Sequence, residues 1–243
     1  MKILLVNDDG IKAKGIETLF RRLKNDFDVS VVAPKFEMSS VGHHLSMRTP
    51  VFCEKFPEYG ENAFALTGTP VDCVKFAVKQ LNFQPDLVIS GINKGANVGS
   101  DVVYSGTVSA AVEANILGIP SVAVSSASYD DDEYGICADF IFDNLQKLYK
   151  AALPDKVINV NVPDSKITKI RGVKVAQQSI RDYGDHYVEI KEGFFVKGTP
   201  KSYADHPVES DVKFLDLGYI TITPLTYSMT HFESLKSTEE LFK

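Results

Sequence analysis

Lys2-Ile3-Leu4-Leu5-Val6-Asn7-Asp8-Asp9-Gly10 is a continuous apolar run that stops at an acidic turn. A strand buried on both faces reads this way, because neither face has to alternate with solvent. Downstream, Ile16, Leu19, Phe20 and Leu23 recur at helical spacing, with Arg21, Arg22 and Lys24 on the other side and late in the segment. Val29 to Ala33 forms a second apolar run, stopped by Pro34. Strand, helix and strand in this order make a βαβ unit and predict a parallel sheet.

The same rhythm continues. Strands are expected near 50–56 and 63–67. Thr69-Pro70 reads as an N-cap followed by proline at the first helical position, and Val71, Val74, Val78 and Leu81 line one helix face. Leu87-Val88-Ile89 predicts a strand that runs into a Gly/Asn-rich loop from Gly91 to Gly106. The helix beyond Thr107 is apolar almost all round and is therefore expected to be buried, with Gly118 closing it and Pro120 opening a strand over Val122 to Val124. A helix near 136–150 and a strand near 157–161 complete the pattern. The expected fold is α/β: a Rossmann-like, mostly parallel sheet with helices on both faces, over residues 1–170. From about residue 170 the alternation fails. Segments 171–177, 187–196 and 217–223 predict a C-terminal antiparallel β-hairpin extension over 171–243, too poor in apolar residues for its own core and so expected to pack on a partner subunit.

Bulk properties narrow the function. The 243 residues are 44% hydrophobic and 24% charged, ordinary for a globular chain. A net charge of −6 argues against binding to duplex nucleic acid or an anionic membrane surface, which needs a basic face. Cys53, Cys73 and Cys137 are odd in number and widely spaced, which fits neither a disulfide framework nor a zinc ribbon. Only Ile3 to Val6 precede the acidic turn, short of the roughly 7–15 apolar residues of a secretory signal and the about 20 of a membrane span. The expected location is the cytoplasm.

In open α/β sheets ligands bind outside the carboxyl ends of the strands. Asn7-Asp8-Asp9-Gly10 follows the first strand, a loop with Ser39, Ser40, His43 and His44 follows the second, and Ser90-Gly91-Ile92-Asn93-Lys94-Gly95-Ala96-Asn97 follows the Leu87–Ile89 strand. Asp8-Asp9 taken alone reads equally as a turn or cap. At the end of a buried strand, however, adjacent carboxylates repel unless a cation separates them, and oxygen donors without clustered Cys or His favour Mg²⁺ or Mn²⁺ over zinc. The GxGxxG of a dinucleotide fold is absent. Asn93 and Asn97 are neutral oxygen donors beside this pair. Ser105-Gly106-Thr107 opens the apolar helix, where open N–H groups and roughly half a positive charge suit a phosphate. Ordinary N-capping is the plainer reading of that triplet.

Asn7-Asp8-Asp9-Gly10, Ala33-Pro34 followed by Ser39, Thr67-Gly68-Thr69-Pro70 with Asp72-Cys73, Ser90-Gly91-Ile92-Asn93 with Gly95 and Asn97, Tyr104-Ser105-Gly106-Thr107-Val108, and Gly218-Tyr219-Ile220-Thr221-Ile222-Thr223-Pro224-Leu225 occur in one order across nearly the whole chain. As a set they resemble the SurE survival proteins. The resemblance implies a divalent-metal phosphohydrolase acting on nucleoside monophosphates, a 5′-nucleotidase with possible action on 3′-nucleotides and polyphosphate. It implies one Mg²⁺ or Mn²⁺ per subunit held by Asp8, Asp9, Ser39 and Asn93, with catalysis at Asp8 and Asp9. It also implies a β-hairpin arm and a C-terminal segment exchanged within a homodimer or homotetramer. Met38 and the run Val41-Gly42-His43-His44 depart from the family's usual pattern around Ser39.

On physical grounds Asn97, Ser105, Gly106 and Thr107 are the expected phosphate contacts, stabilising charge on the non-bridging oxygens. Three routes stay open: a cation-activated water, Asp8 or Asp9 as base, or one of them as nucleophile forming an aspartyl-phosphate. The alternative reading is a nucleotide-binding regulator without turnover, which would need the helix start but not the paired carboxylates.

Overall fold

The computed structural model describes the whole chain except residues 131–132 and 153–154. In chain order the elements are β1 (Lys2–Val6), α1 (Lys14–Leu23), β2 (Asp28–Pro34), β3 (Cys53–Lys55), β4 (Ala63–Leu66), α2 (Pro70–Lys79), β5 (Leu87–Lys94), α3 (Gly106–Ile116) and β6 (Ser121–Ser126). There follow α4 (Tyr134–Ala152), β7 (Val157–Val162), β8 (Gly172–Val175), β9 (His186–Ile190), β10 (Gly193–Lys197), α5 (Asp211–Asp216), β11 (Tyr219–Leu225) and α6 (Leu235–Leu241).

Nine strands form one sheet in the order β3-β4-β2-β1-β5-β6-β7-β11-β8. The run from β4 through β7 is parallel, whereas β3 pairs antiparallel with β4, and β11 antiparallel with β7. The period of two decides which helix covers which face. Ile3, Leu5, Val31, Leu87 and Ile89 pack under α1 and α4, through Ile16, Leu19, Leu23, Cys137, Ile141 and Leu145. Leu4, Val6, Val32 and Val88 point the other way, onto α2 and α3, through Cys73, Val74, Ala77, Ala110 and Ala114. Each such Leu or Ile taken from water contributes about 1.5–3 kcal/mol, so β1, β2 and β5 each carry two hydrophobic commitments and cannot slip by one residue.

β5 runs on to Lys94 rather than giving way to a loop after Ile89. Its pairing with β6 breaks register between Ser90 and Asn93. Gly91 makes this possible: its φ is +133°, and a Cβ there would lie 2.2 Å from the Val124 carbonyl oxygen. The break lets the strand resume with Asn93 at the carboxyl edge.

The C-terminal part departs in one respect from the expectation of an antiparallel extension outside the main sheet. Residues 219–225 return to the main sheet as β11, which seals β7 and in turn carries β8 as a parallel edge strand. Ile220 and Leu225 are buried there, and Ile220 joins the core under α1 and α4. The hairpin β9–β10 does stand apart as its own two-stranded sheet. Tyr187, Phe194, Phe195 and Val196 on it are exposed. The short helices α5 and α6 were not legible as periodic segments.

The arm that carries the hairpin leaves and rejoins the body at one place, where Gln177 bridges Ser210. Asp211, fully buried, is the hub there: Oδ2 accepts from Gly99 N–H (2.8 Å), and Oδ1 from Ser179 N–H (3.1 Å) and Val212 N–H (2.8 Å). Burial nevertheless pushes its carboxyl above the usual range, against these hydrogen bonds. Asp211→Ala strands the Gly99 and Ser179 donors and is expected to cost about 2–3 kcal/mol. Urea unfolding measures that loss, and faster proteolysis within 178–209 than elsewhere is the expected local signature.

Candidate active site

The sheet order reverses direction at β1: the chain runs outward from β1 to β2 and β4 on one side, and from β5 to β6 and β7 on the other. The switch point therefore lies between the carboxyl ends of β1 and β5, the crevice where such sheets take ligands. Asp8 and Asp9 follow β1 on one side of it, and Asn93 closes β5 on the other. Asp8, Ser39, Asn93, Asn97, Ser100, Tyr104 and Ser105 line a single cleft of about 870 Å³.

Asp8 is the most constrained group in the cleft. It is 5% exposed, and the N-terminus of α3 abuts it. The Thr107 hydroxyl donates to Asp8 Oδ1, and backbone N–H groups of Thr107 and Gly106 add to that bond. A Cβ on Gly106 would lie 2.8 Å from Asp8 Cβ and 2.9 Å from Oδ2, so only glycine lets the helix end approach this closely. Burial pushes the Asp8 carboxyl up, against the downward pull of those donors.

Asp9, half-buried, accepts from Lys94 N–H at 3.2 Å. Burial and then the neighbouring Asp8 push its carboxyl up to about 7; Glu37 adds in the same sense, and Lys94 opposes. Two carboxylates side by side, with a third acid nearby, are short of positive charge. The Asn93 amide nitrogen donates to Gly95 O at 2.7 Å, which leaves its oxygen as the end free to serve as a ligand. Ser39 is exposed, and its hydroxyl donates to Glu37 Oε1 at 2.7 Å. The Met38 N–H to Asp8 O bond, 2.7 Å, holds this loop beside Asp8.

No group of three or more His, Cys, Asp or Glu gathers for a metal among the described residues. The candidate set instead takes half its donors from a serine and an asparagine, and its two carboxylates, one hydroxyl and one amide oxygen fit a hard divalent cation.

Asn97 is held by a buried amide lattice. Its N–H donates to Asn161 Oδ1 (2.7 Å), its carbonyl accepts from Asn159 Nδ2 (2.8 Å) and Asn161 Nδ2 (3.0 Å), and its own Nδ2 donates to Ser125 Oγ (2.9 Å). Ser105 caps α3 by accepting from Val108 N–H at 3.0 Å, and it lines the cleft. Thr107 differs from the sequence expectation. Its side chain is fully buried behind Asp8 and spends its hydroxyl there, so it orients a carboxylate instead of meeting a phosphate.

Three residues unread in the sequence also belong here. Glu37 engages Ser39, and Asp101 Oδ2 accepts from Arg181 Nη1 (3.1 Å) and Tyr183 O–H (2.6 Å). That pairing brings the arm's Arg181, Tyr183 and Tyr187 onto the cleft wall. Glu37 lay within reach as an acid after Pro34; the Asp101–Arg181 pair, far apart in sequence, gave no local signal.

Comparison with known proteins gives one consistent result. A family model described as Survival protein SurE matches residues 3–185. The chain is 42% identical to the 5′-nucleotidase SurE of Alkaliphilus metalliredigens, over 99% of this chain and 98% of that protein. It is 40% identical to the 5′-nucleotidase SurE of Thermosipho africanus, over 100% of this chain and 98% of that protein. The crystal structure of the SurE protein from Aquifex aeolicus superposes with a TM-score of 0.86 at 34% identity, covering 100% of both chains.

Two substitutions probe the seat of Asp8. Gly106→Ala is expected to push the α3 terminus off the carboxylate and to destabilise the fold by about 1–3 kcal/mol. Thr107→Val removes a donor to a charged group and is expected to cost about 1.5–3 kcal/mol, while Thr107→Ser retains the donor and stays near wild type. Urea unfolding of the three variants checks the order.

Proposed function

The chain belongs to the SurE survival-protein family, and on that premise we propose that it is a divalent-metal phosphohydrolase that removes phosphate from nucleoside monophosphates. The observation that carries this reading is the under-neutralised pair Asp8–Asp9 at the switch point, with one member pinned by a helix N-terminus and neutral oxygen donors facing it. Asp8, Asp9, Ser39 and Asn93 are the residues proposed to hold Mg²⁺ or Mn²⁺, one ion per subunit. Such an ion supplies Lewis acidity at a phosphoryl oxygen.

The protein's own residues do the rest. Thr107 and the first N–H groups of α3 keep Asp8 at one orientation, so a ligand position is fixed before substrate arrives. Asn97, locked by Asn159 and Asn161, and the Ser105 hydroxyl offer donors to the non-bridging oxygens. Tyr104, Tyr183 and Tyr187 give the nucleoside end of the cleft flat apolar faces with polar tips. The same set of donors admits 5′- and 3′-monophosphates, and terminal phosphates of polyphosphate, as substrates. Exposed apolar residues on the hairpin and the C-terminal segment, Phe194, Phe195, Phe232 and Leu241 among them, support assembly as a homodimer or homotetramer. No helix among the described residues is long and apolar enough to cross a membrane; a cytoplasmic location fits the proposed substrates.

Phosphate release from a panel of 5′- and 3′-nucleoside monophosphates and polyphosphate, with and without Mn²⁺ or Mg²⁺, tests the proposal. Activity is expected to vanish on chelation and to return with metal; full turnover after exhaustive chelation overturns it. Nucleotide binding with no phosphate release under any metal would identify a regulator instead.

Asp8→Asn and Asp9→Asn are each expected to lower kcat/KM at least about a hundredfold. Excess Mn²⁺ is expected to recover part of the loss in the variant whose carboxylate only holds the cation. The other, which also moves a proton or attacks phosphorus, stays inactive. For assembly, sedimentation at micromolar concentration is expected to show a dimer or larger species, and a fully active monomer contradicts that part.

A further inference from the structure

α3 is built from small residues where it packs, Ala110, Ala111 and Ala114, yet it buries the carboxylate Glu113 at 3% exposure. A charge is buried at such a place only when it is paired. Glu113 Oε1 accepts from Lys75 Nζ on α2, and Oε2 meets His43 Nε2 at 2.9 Å. Burial pushes this carboxyl up, but the hydrogen bonds from His43 and Lys75 prevail and hold it below the usual range. The Lys75 bond ties α2 to α3; the bond to His43 reaches into the irregular segment between β2 and β3, the segment that bears Ser39.

That segment is tethered residue by residue. Met38 N–H donates to Asp8 O, Gly42 N–H to Tyr104 O (2.9 Å), Thr69 Oγ1 to His44 O (2.6 Å), and Ser46 N–H donates to Asp72 Oδ1 (3.1 Å). Among the described residues from 38 to 46, His43 is the one side chain that reaches from the loop into a helix. Between the Met38 and Gly42 tethers the backbone passes through Ser40 at φ +58°, a region that side chains seldom occupy and that persists only where the surroundings over-determine it. The same helix that seats Asp8 through Thr107 thus also grips the Ser39 loop through Glu113, further along its length.

We infer that the His43–Glu113 pair, with Lys75 neutralising the second oxygen, is a positioning device that fixes Ser39 relative to Asp8 by registering both on α3. The inference rests on the proposed metal role of Ser39 and Asp8 for its functional meaning. The anchoring itself is independent of that role. His43 touches neither substrate nor cation in this account; it acts through the loop.

The test uses the full chain with His43→Ala and His43→Gln, at an exposed position of the loop. Amide hydrogen exchange of the metal-free proteins reads the anchoring: residues 38–46 are expected to exchange at least about tenfold faster in His43→Ala. Calorimetric titration with Mn²⁺ alone reads the positioning: affinity is expected to fall roughly ten- to a hundredfold in His43→Ala, the worth of one charged hydrogen bond. His43→Gln, which keeps a donor, is expected to recover part of both, with thermal unfolding remaining a single cooperative transition throughout. Unchanged exchange over 38–46 in His43→Ala overturns the inference, and so does faster exchange with unchanged Mn²⁺ affinity. If the wild type itself binds no Mn²⁺ while exchange responds as expected, the anchoring stands and the metal reading of the site falls.

Discussion

Everything in the cleft depends on seating a carboxylate, Asp8, at the end of a fully buried strand against the first turn of a helix. Such a group is expensive to desolvate, and the cost is offset only by donors at close range. The first turn of α3 supplies them, together with roughly half a positive charge, but only because Gly106 lets the two backbones approach within a distance that any Cβ would forbid. The helix must then be buried along its length to stay in place, and its small-residue face against β5 and β6 serves that purpose.

Once Asp8 is seated, the other groups are ordered around it by the sheet. Parallel strands deliver their carboxyl ends to one edge, so donors distant in sequence converge without any dedicated scaffold. Asp9 follows from β1 itself, Asn93 from the far side of the register break in β5, and Ser39 from the loop after β2. Asn97 is reached from below, by Asn159 and Asn161 on β7. The arm closes the remaining side through Arg181 and Tyr183 on Asp101. Asp8, Asp9 and the nearby Glu37 leave this ring short of positive charge.

The central βαβ pattern was legible because β1, α1 and β2 each follow a clean hydrophobic period, and because parallel strands announce themselves as unbroken apolar runs. The place of Asp8, Asp9 and Asn93 at the carboxyl edge was legible for the same reason: once the strands are known, the residues that follow them fall at that edge. Thr107 was misread because Ser-Gly-Thr at a helix start has the same appearance whether it faces an anion from outside or a carboxylate of the chain. β11 was assigned to the extension because pairing partners are chosen by tertiary packing, and Ile220-Thr221-Ile222 alternates equally well on an edge or inside a sheet. Asp101, Arg181 and Glu113 were invisible to local reading, since their partners lie on other elements. The helices α5 and α6 are too short to display a period.

The shared base from which the arm leaves and to which it returns has an evolutionary consequence. Residues 178–209 depart and return across one bridge between Gln177 and Ser210, closed off by Asp211, so the excursion adds no strand to the main sheet. Loop-closure entropy grows only slowly with length. Segments of different size and composition can therefore be grafted between these two feet at small thermodynamic penalty to the core. Because the same segment furnishes one wall of the cleft, substrate range can diversify by exchanging a module while the acidic floor stays untouched.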